Sequence, residues 1–218
     1  MITNFPIVLS PEVVNAFRVQ GFVVTPDVLS TGEVAQYGAA IDQAVAARTA
    51  SDTRSITDKS TYEQSFLQCM RLCETDPGVV DLTFHEGLAG IAAQLLGVPS
   101  VNLWQDQALY KEPGGRETTA HQDQPFWPIG EAPLISAWIP LNTVDESNGA
   151  MAYVPGSHLA GPLKVVDITH TSEPYNILND PALEGEPLRV VPVNSGSVIW
   201  HHGFTVHAAG ANHSDSVR

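Results

Sequence analysis

The triplet His121-Gln122-Asp123 is the first stretch of this chain that could do chemistry. In an extended segment residues two apart face the same side, so this imidazole and this carboxylate can converge on one point. A second histidine from far along the chain would complete a facial set of two histidines and one carboxylate. Such a set holds iron(II) and leaves positions open for oxygen and a cosubstrate. His207, within the short run Thr205–Ala209, is the candidate. A His-x-Asp triplet alone is a weak signal, and with eight histidines in the chain a later one proves little by itself. His85, His158, His170, His201 and His213 read as surface or core residues, not as ligands. No P-loop or Gly-rich dinucleotide fingerprint offers a competing chemistry, and Pro113-Gly114-Gly115 reads as a flexible turn.

Elements must bring these groups together. Ser30-Thr31-Gly32-Glu33 reads as a helix start with Glu placed to close a capping box. Val34, Tyr37, Ile41 and Val45 then form one apolar stripe. Val79 to Leu96 predicts a second helix, with Val80, Phe84, Leu88, Ile91 and Leu95 in its stripe and Gly97 as its stop. Cys69 and Cys73, four apart in a helix-like stretch, read as small buried residues and fit a reducing compartment. From Val101 onward short β-type runs follow: Val101–Lys111, Leu134–Leu141, Ala150–Val154, Leu188–Val193, Gly196–Trp200 and Thr205–Ala209. Asn148-Gly149 reads as a hairpin turn and Pro155-Gly156-Ser157 as another turn. Helices first and many short strands after suggest a β-sandwich or jelly roll with helices on one face. The patternless segment Thr169 to Pro187 reads as a functional lid or a mobile loop.

A length of 218 residues with 43% apolar content suits one domain. No run approaches the roughly 18 apolar residues that span a bilayer. Met1 to Pro6 lacks the basic start of a signal peptide, so a cytoplasmic protein is expected. The net charge of −14 repels nucleic acid and anionic membranes, which leaves a small-molecule substrate as the expected partner. It also counts against a coenzyme A thioester, although one well-placed arginine could hold a single carboxylate. Oligomeric state is not legible.

The segments His121-Gln122-Asp123, Ala137-Trp138-Ile139-Pro140-Leu141, Asn148-Gly149-Ala150-Met151 and Val154-Pro155-Gly156-Ser157-His158 occur in a telling order and spacing. With Gly196-Ser197-Val198-Ile199-Trp200, His202 through His207, Gly210, Asn212 and Arg218, they resemble the phytanoyl-CoA dioxygenase family. The likeness covers roughly residues 100 to 218, and the first half agrees only in general character. It implies a mainly β fold, a double-stranded β-helix (jelly roll, cupin-like) with N-terminal helices packed on one face. The whole of 1–218 would be one oxygenase domain, helical over about 1–98 with a jelly-roll core over about 99–218. Iron(II) would be held by His121, Asp123 and His207, with 2-oxoglutarate as cosubstrate and O2 as oxidant.

The same resemblance assigns Arg218 to the distal carboxylate of 2-oxoglutarate, which suits the planar fork of a guanidinium. It assigns Trp138 and Gln107 to the cosubstrate pocket. On residue type alone these three read as a solvated charge, core packing and a strand's solvent face. His202 matches a family histidine that precedes the iron ligand and reads as a supporting residue. Gln124, Phe126 and Trp127 directly follow the triplet and could line the substrate side, or simply pack locally. Two features depart from the family. Ala209 stands where some relatives place a hydroxyl, and relatives continue beyond the position of Arg218 into a further core strand. A missing strand would loosen the anchor of Arg218. The implied reaction converts 2-oxoglutarate and O2 to succinate and CO2 while hydroxylating a small organic molecule. Two other readings stay open: a jelly-roll hydrolase or isomerase using another divalent ion, and a small-molecule binder without turnover.

Overall fold

Helix starts follow local chemistry. In the computed structural model, which describes residues 7–130, 133–170 and 175–218, α1 (Pro11–Gln20) carries proline in its first turn, where a missing N–H costs nothing. In α2 (Thr31–Thr49) the Ser30 hydroxyl accepts from the Glu33 N–H while the Glu33 carboxylate accepts from the Ser30 N–H at 2.8 Å. The capping box forms as the sequence predicts. The single helix expected from Val79 to Leu96 is instead two, α3 (Pro77–Thr83) and α4 (Glu86–Leu96). The reason is His85, whose side chain caps α4 by accepting from the Leu88 N–H, leaving Phe84 exposed between the helices.

Nine short strands form among the described residues. They are β1 (Phe22–Thr25), β2 (Leu67–Met70), β3 (Gln107–Tyr110), β4 (Thr118–His121), β5 (Ile135–Trp138), β6 (Met151–Tyr153), β7 (Arg189–Val191), β8 (Val198–His202) and β9 (His207–Ala209). They build a sheet in the order β1-β8-β5, a second in the order β4-β9-β6-β7, and the pair β2-β3. Among the described residues no strand is longer than five residues, and the balance is mixed α/β and not mainly β. Cys69 lies on β2 and Cys73 in a 3-10 turn, so their stretch is not helical; both are free thiols. Asn148-Gly149 is not a two-residue hairpin turn. Asp145 and Asn148 cap each other's backbone, closing a 3-10 turn that Gly149 ends at φ 88°.

Alternation along β8 sets the layers. Val198 and Trp200 pack against the helices in one core with Phe17, Ile41, Leu72, Ile91 and Leu95. Ile199 points the other way, into a second core with Phe22 of β1, Met151 and Tyr153 of β6 and Ala209 of β9. That core lies between the two larger sheets, and the Phe22 and Tyr153 rings stack across it at 4.6 Å. A third cluster covers the outer face of β4-β9-β6-β7. Ile177 and Leu183 bury there against Ala120, Val206 and Ala208. The described part of the segment expected as a lid is therefore packed on that outer face; residues 171–174 and Met1 to Pro6 lie outside the described residues.

Candidate metal centre

β4 and β9 are antiparallel neighbours, and their register sets His121 directly opposite His207. A long-range pairing thus joins two histidines that the sequence holds far apart. After β4 the chain turns at Asp123 into a 3-10 turn (Gln124–Phe126). Gln122 points to the opposite side, where its amide donates to the Gly161 and Phe204 carbonyls and accepts from the Leu163 N–H. Those three bonds pin the triplet and leave its outer members facing one point. Asp123 Oδ1 lies 3.6 Å from His121 Nε2 and 3.6 Å from His207 Nε2. All three ligand atoms fall within 4.8 Å of one another, close enough to share one ion.

The donor set also has the right hydrogens. His121 Nδ1 lies 2.7 Å from the Thr119 carbonyl, and His207 Nδ1 lies 3.0 Å from the Thr205 carbonyl. A carbonyl only accepts, so each Nδ1 carries the hydrogen and each Nε2 keeps its lone pair for a metal. Burial pushes the His207 imidazole down to about 3 despite the attraction of Asp123, so this ring is neutral. Burial would raise the Asp123 carboxyl. The imidazoles of His207, His121 and His201 packed around it outweigh that, holding Asp123 well below the usual range. An ionised oxygen ligand beside two imidazole nitrogens whose lone pairs are free fits a divalent cation.

His201, expected to be an ordinary surface or core residue, reaches this centre. Its Nε2 lies 3.1 Å from Asp123 Oδ2, and the Ser136 hydroxyl donates to the same oxygen at 3.0 Å. Neither residue was singled out from the sequence. His202, expected in the supporting role, faces away, accepts from the Phe204 N–H and lies against His158. The signal for the difference was present: if Trp200 faces the helices, alternation sends His202 the same way and His201 inward.

Arg218 is mostly buried, and burial lowers its guanidinium to about 10, still charged at neutral pH. Its backbone is paired both ways with Lys111, N–H to carbonyl at 3.0 and 2.7 Å. That pairing holds the side chain's anchor. Its guanidinium lies over Trp138, which shares a face of β5 with Ser136. Gln107 is exposed on β3 and accepts from Gln68 at 2.9 Å, with no hydrogen bond to Trp138 or Arg218. Gln124 is buried and donates to the Gly130 carbonyl at 2.9 Å, which makes it a brace for its own turn. Phe126 is part-exposed, edge-on to His121 with ring centroids 6.0 Å apart, and Trp127 is half-buried beside it.

Comparison with known proteins adds independent findings. The sequence profile of phytanoyl-CoA dioxygenase matches residues 17–218. A probable alpha-ketoglutarate-dependent hypophosphite dioxygenase of Stutzerimonas stutzeri is 31% identical over 139 residues, 61% of this chain and 47% of that protein. The phytanoyl-CoA dioxygenase domain-containing protein 1 of Mus musculus is 30% identical over 150 residues, 66% of this chain and 50% of that one. The chain thus spans about half the length of the curated relatives it matches. Among solved structures, the non-heme alpha ketoglutarate dependent carbocyclase SnoK from nogalamycin biosynthesis superposes with a TM-score of 0.80 at 34% identity, covering 96% of this chain and 81% of SnoK. The epimerase SnoN, solved with Fe3+ and alpha ketoglutarate, gives 0.74 at 27% identity, covering 95% and 79%.

Proposed function

The chain belongs to the phytanoyl-CoA dioxygenase family, and from that premise we propose that it is an iron(II)- and 2-oxoglutarate-dependent dioxygenase that hydroxylates a small organic molecule. The observation that carries this reading is the position of one carboxylate oxygen, Asp123 Oδ1, 3.6 Å from two imidazole nitrogens. When bound, iron and 2-oxoglutarate supply oxidation by O2, with 2-oxoglutarate leaving as succinate and CO2. The protein's part is to hold, orient and keep water out.

His121, Asp123 and His207 would hold the ion. Ser136, which braces Asp123, and Trp138, over which the Arg218 guanidinium lies, are two apart and so share one face of β5. A charged fork on the face that braces the carboxylate supports Arg218 as partner of the distal carboxylate. Gln107, on β3, is the weaker candidate for the same pocket. Phe126, with Trp127 and the braced Gln124, forms the substrate side, since its ring stands against the His121 ligand and remains accessible. The two facing sheets read as halves of a double-stranded β-helix. No described helix is long and apolar enough to cross a membrane. Free cysteines support a reducing compartment such as the cytoplasm.

A second reading keeps the site and changes the outcome. The SnoK and SnoN relatives are named for ring closure and epimerisation, so the same oxidation could end without a new hydroxyl group. Anaerobic titration with iron(II) and 2-oxoglutarate tests the common part: a weak visible charge-transfer band is expected. Admitting O2 with a panel of small substrates should then release succinate. A divalent-ion hydrolase or isomerase would show neither the band nor succinate, and a silent binder would show the band alone.

A further inference from the structure

Three histidines crowd the Asp123 carboxylate, yet a facial set needs two. The His201 and His207 ring centroids are only 4.6 Å apart. A third imidazole bound to the ion would occupy a position that cosubstrate and oxygen need. What separates the three is the partner of each Nδ1. For His121 and His207 it is a carbonyl, which forces the hydrogen onto Nδ1. For His201 it is the Tyr153 hydroxyl at 3.3 Å, which can donate. Facing an ionised carboxylate oxygen, His201 Nε2 must carry the ring's hydrogen, and Nδ1 is then filled by the Tyr153 hydroxyl. Its Nε2 has no lone pair to give a metal.

Sheet register delivers the rest. Ser136 and His201 are cross-strand partners on β5 and β8, so both donors reach Asp123 Oδ2 from one face. Tyr153 sits opposite His207 on β6. Packing alone would need none of these polar atoms, because phenylalanine at 153 would stack on Phe22 equally well. Buried polar groups cost stability unless paired, and here they are paired with one another and with the carboxylate.

We infer that Ser136 and His201 are positioning residues that hold Asp123 Oδ2, so that only Oδ1 faces the metal, while the Tyr153 hydroxyl keeps His201 a donor and not a third ligand. This rests on the reading of His121, Asp123 and His207 as the ligand set.

The test uses Co(II), followed by its affinity and its visible ligand-field spectrum, on protein whose metal-free melting temperature is measured alongside. Ser136→Ala and His201→Ala should each weaken Co(II) binding ~10–100-fold. Ser136→Thr and His201→Gln, which return a donor, should recover most of that loss. Tyr153→Phe should bind Co(II) with an altered spectrum and hold 2-oxoglutarate less tightly. A merely structural role would lower the melting temperature and leave affinity and spectrum of the folded fraction unchanged. Should His201→Ala not fold, Ser136→Ala removes a single atom and decides the matter. Wild-type binding with all variants within twofold of it, and one shared spectrum, would overturn the inference while leaving the ligand set intact. A wild-type protein that takes up no Co(II) would overturn both.

Discussion

The guanidinium carbon of Arg218 lies 5.5 Å from the centroid of the Trp138 ring. Two of its nitrogens donate to the Asn148 and Gly149 carbonyls, at 3.3 and 2.9 Å. The ring and the two carbonyls fix the plane of the fork, and those bonds use two of five N–H donors. Gly149 is required for this cradle. At φ 88° a Cβ there would sit 2.7 Å from the Gly210 carbonyl.

Arg218→Ala should therefore weaken 2-oxoglutarate binding ~10–100-fold, the range for a charged hydrogen-bond partner lost. Iron affinity should stay within about twofold. Lysine should recover little, because an ammonium cannot present the planar fork. Calorimetric titration of metal-loaded protein with 2-oxoglutarate checks this, and an equal loss of both affinities would remove Arg218 from the cosubstrate site.

His207→Ala deletes one of the two nitrogen ligands and leaves an ionised, buried Asp123 with one imidazole fewer. Stoichiometric iron uptake and the charge-transfer band should both vanish. His213, which lies outside the centre, serves as the control: His213→Ala should bind iron as the wild type does. An unchanged band in His207→Ala would discard the ligand assignment.

The Trp200 indole N–H donates to Thr25 Oγ1 at 2.7 Å inside the helix-facing core. Thr25→Val keeps the shape and removes the acceptor, leaving a buried donor unpaired. A loss of about 1–3 kcal/mol in urea unfolding is expected. No loss would mean that the indole finds another partner.

Lys111 is fully buried, and burial together with the charge of Arg218 lowers its ammonium to about 7 from 10.5. Below pH 7 the folded and unfolded chains both carry this proton. Between pH 7 and 10.5 only the unfolded chain keeps it, so raising the pH through that window favours the fold. Lys111→Met removes the group from both states. The stability difference between this variant and the wild type, read from urea midpoints at pH 7 and pH 9, should shift toward the wild type at the higher pH. A constant difference would show that the ammonium has its ordinary affinity.

Much of the local structure was legible because it depends on neighbours in sequence. The capping box at Ser30 and Glu33 needs only a three-residue reach. β5, β6, β7 and β9 fall within the predicted apolar runs, while β8 runs two residues past its own, through His201 and His202. Local reading failed where a polar side chain offered the backbone a competing bond. His85 divides one apolar stripe into two helices, and Asp145 with Asn148 turns an expected hairpin into a capped 3-10 turn. α1, β1 and β2, in the half read as helical, were not anticipated. β1 and β2 gain their sense only from the strands they pair with.

The sequence suggested the ligand chemistry, two imidazoles and a carboxylate, and the family resemblance rather than residue type alone added the guanidinium. Only the tertiary structure decided which atoms meet. The β4–β9 pairing sets His121 beside His207, and the β5–β8 pairing brings Ser136 and His201 to the far oxygen of Asp123. Register between distant strands is settled by the packing of two sheets around Phe22, Tyr153 and Ile199. A one-residue slip there would exchange His201 for His202.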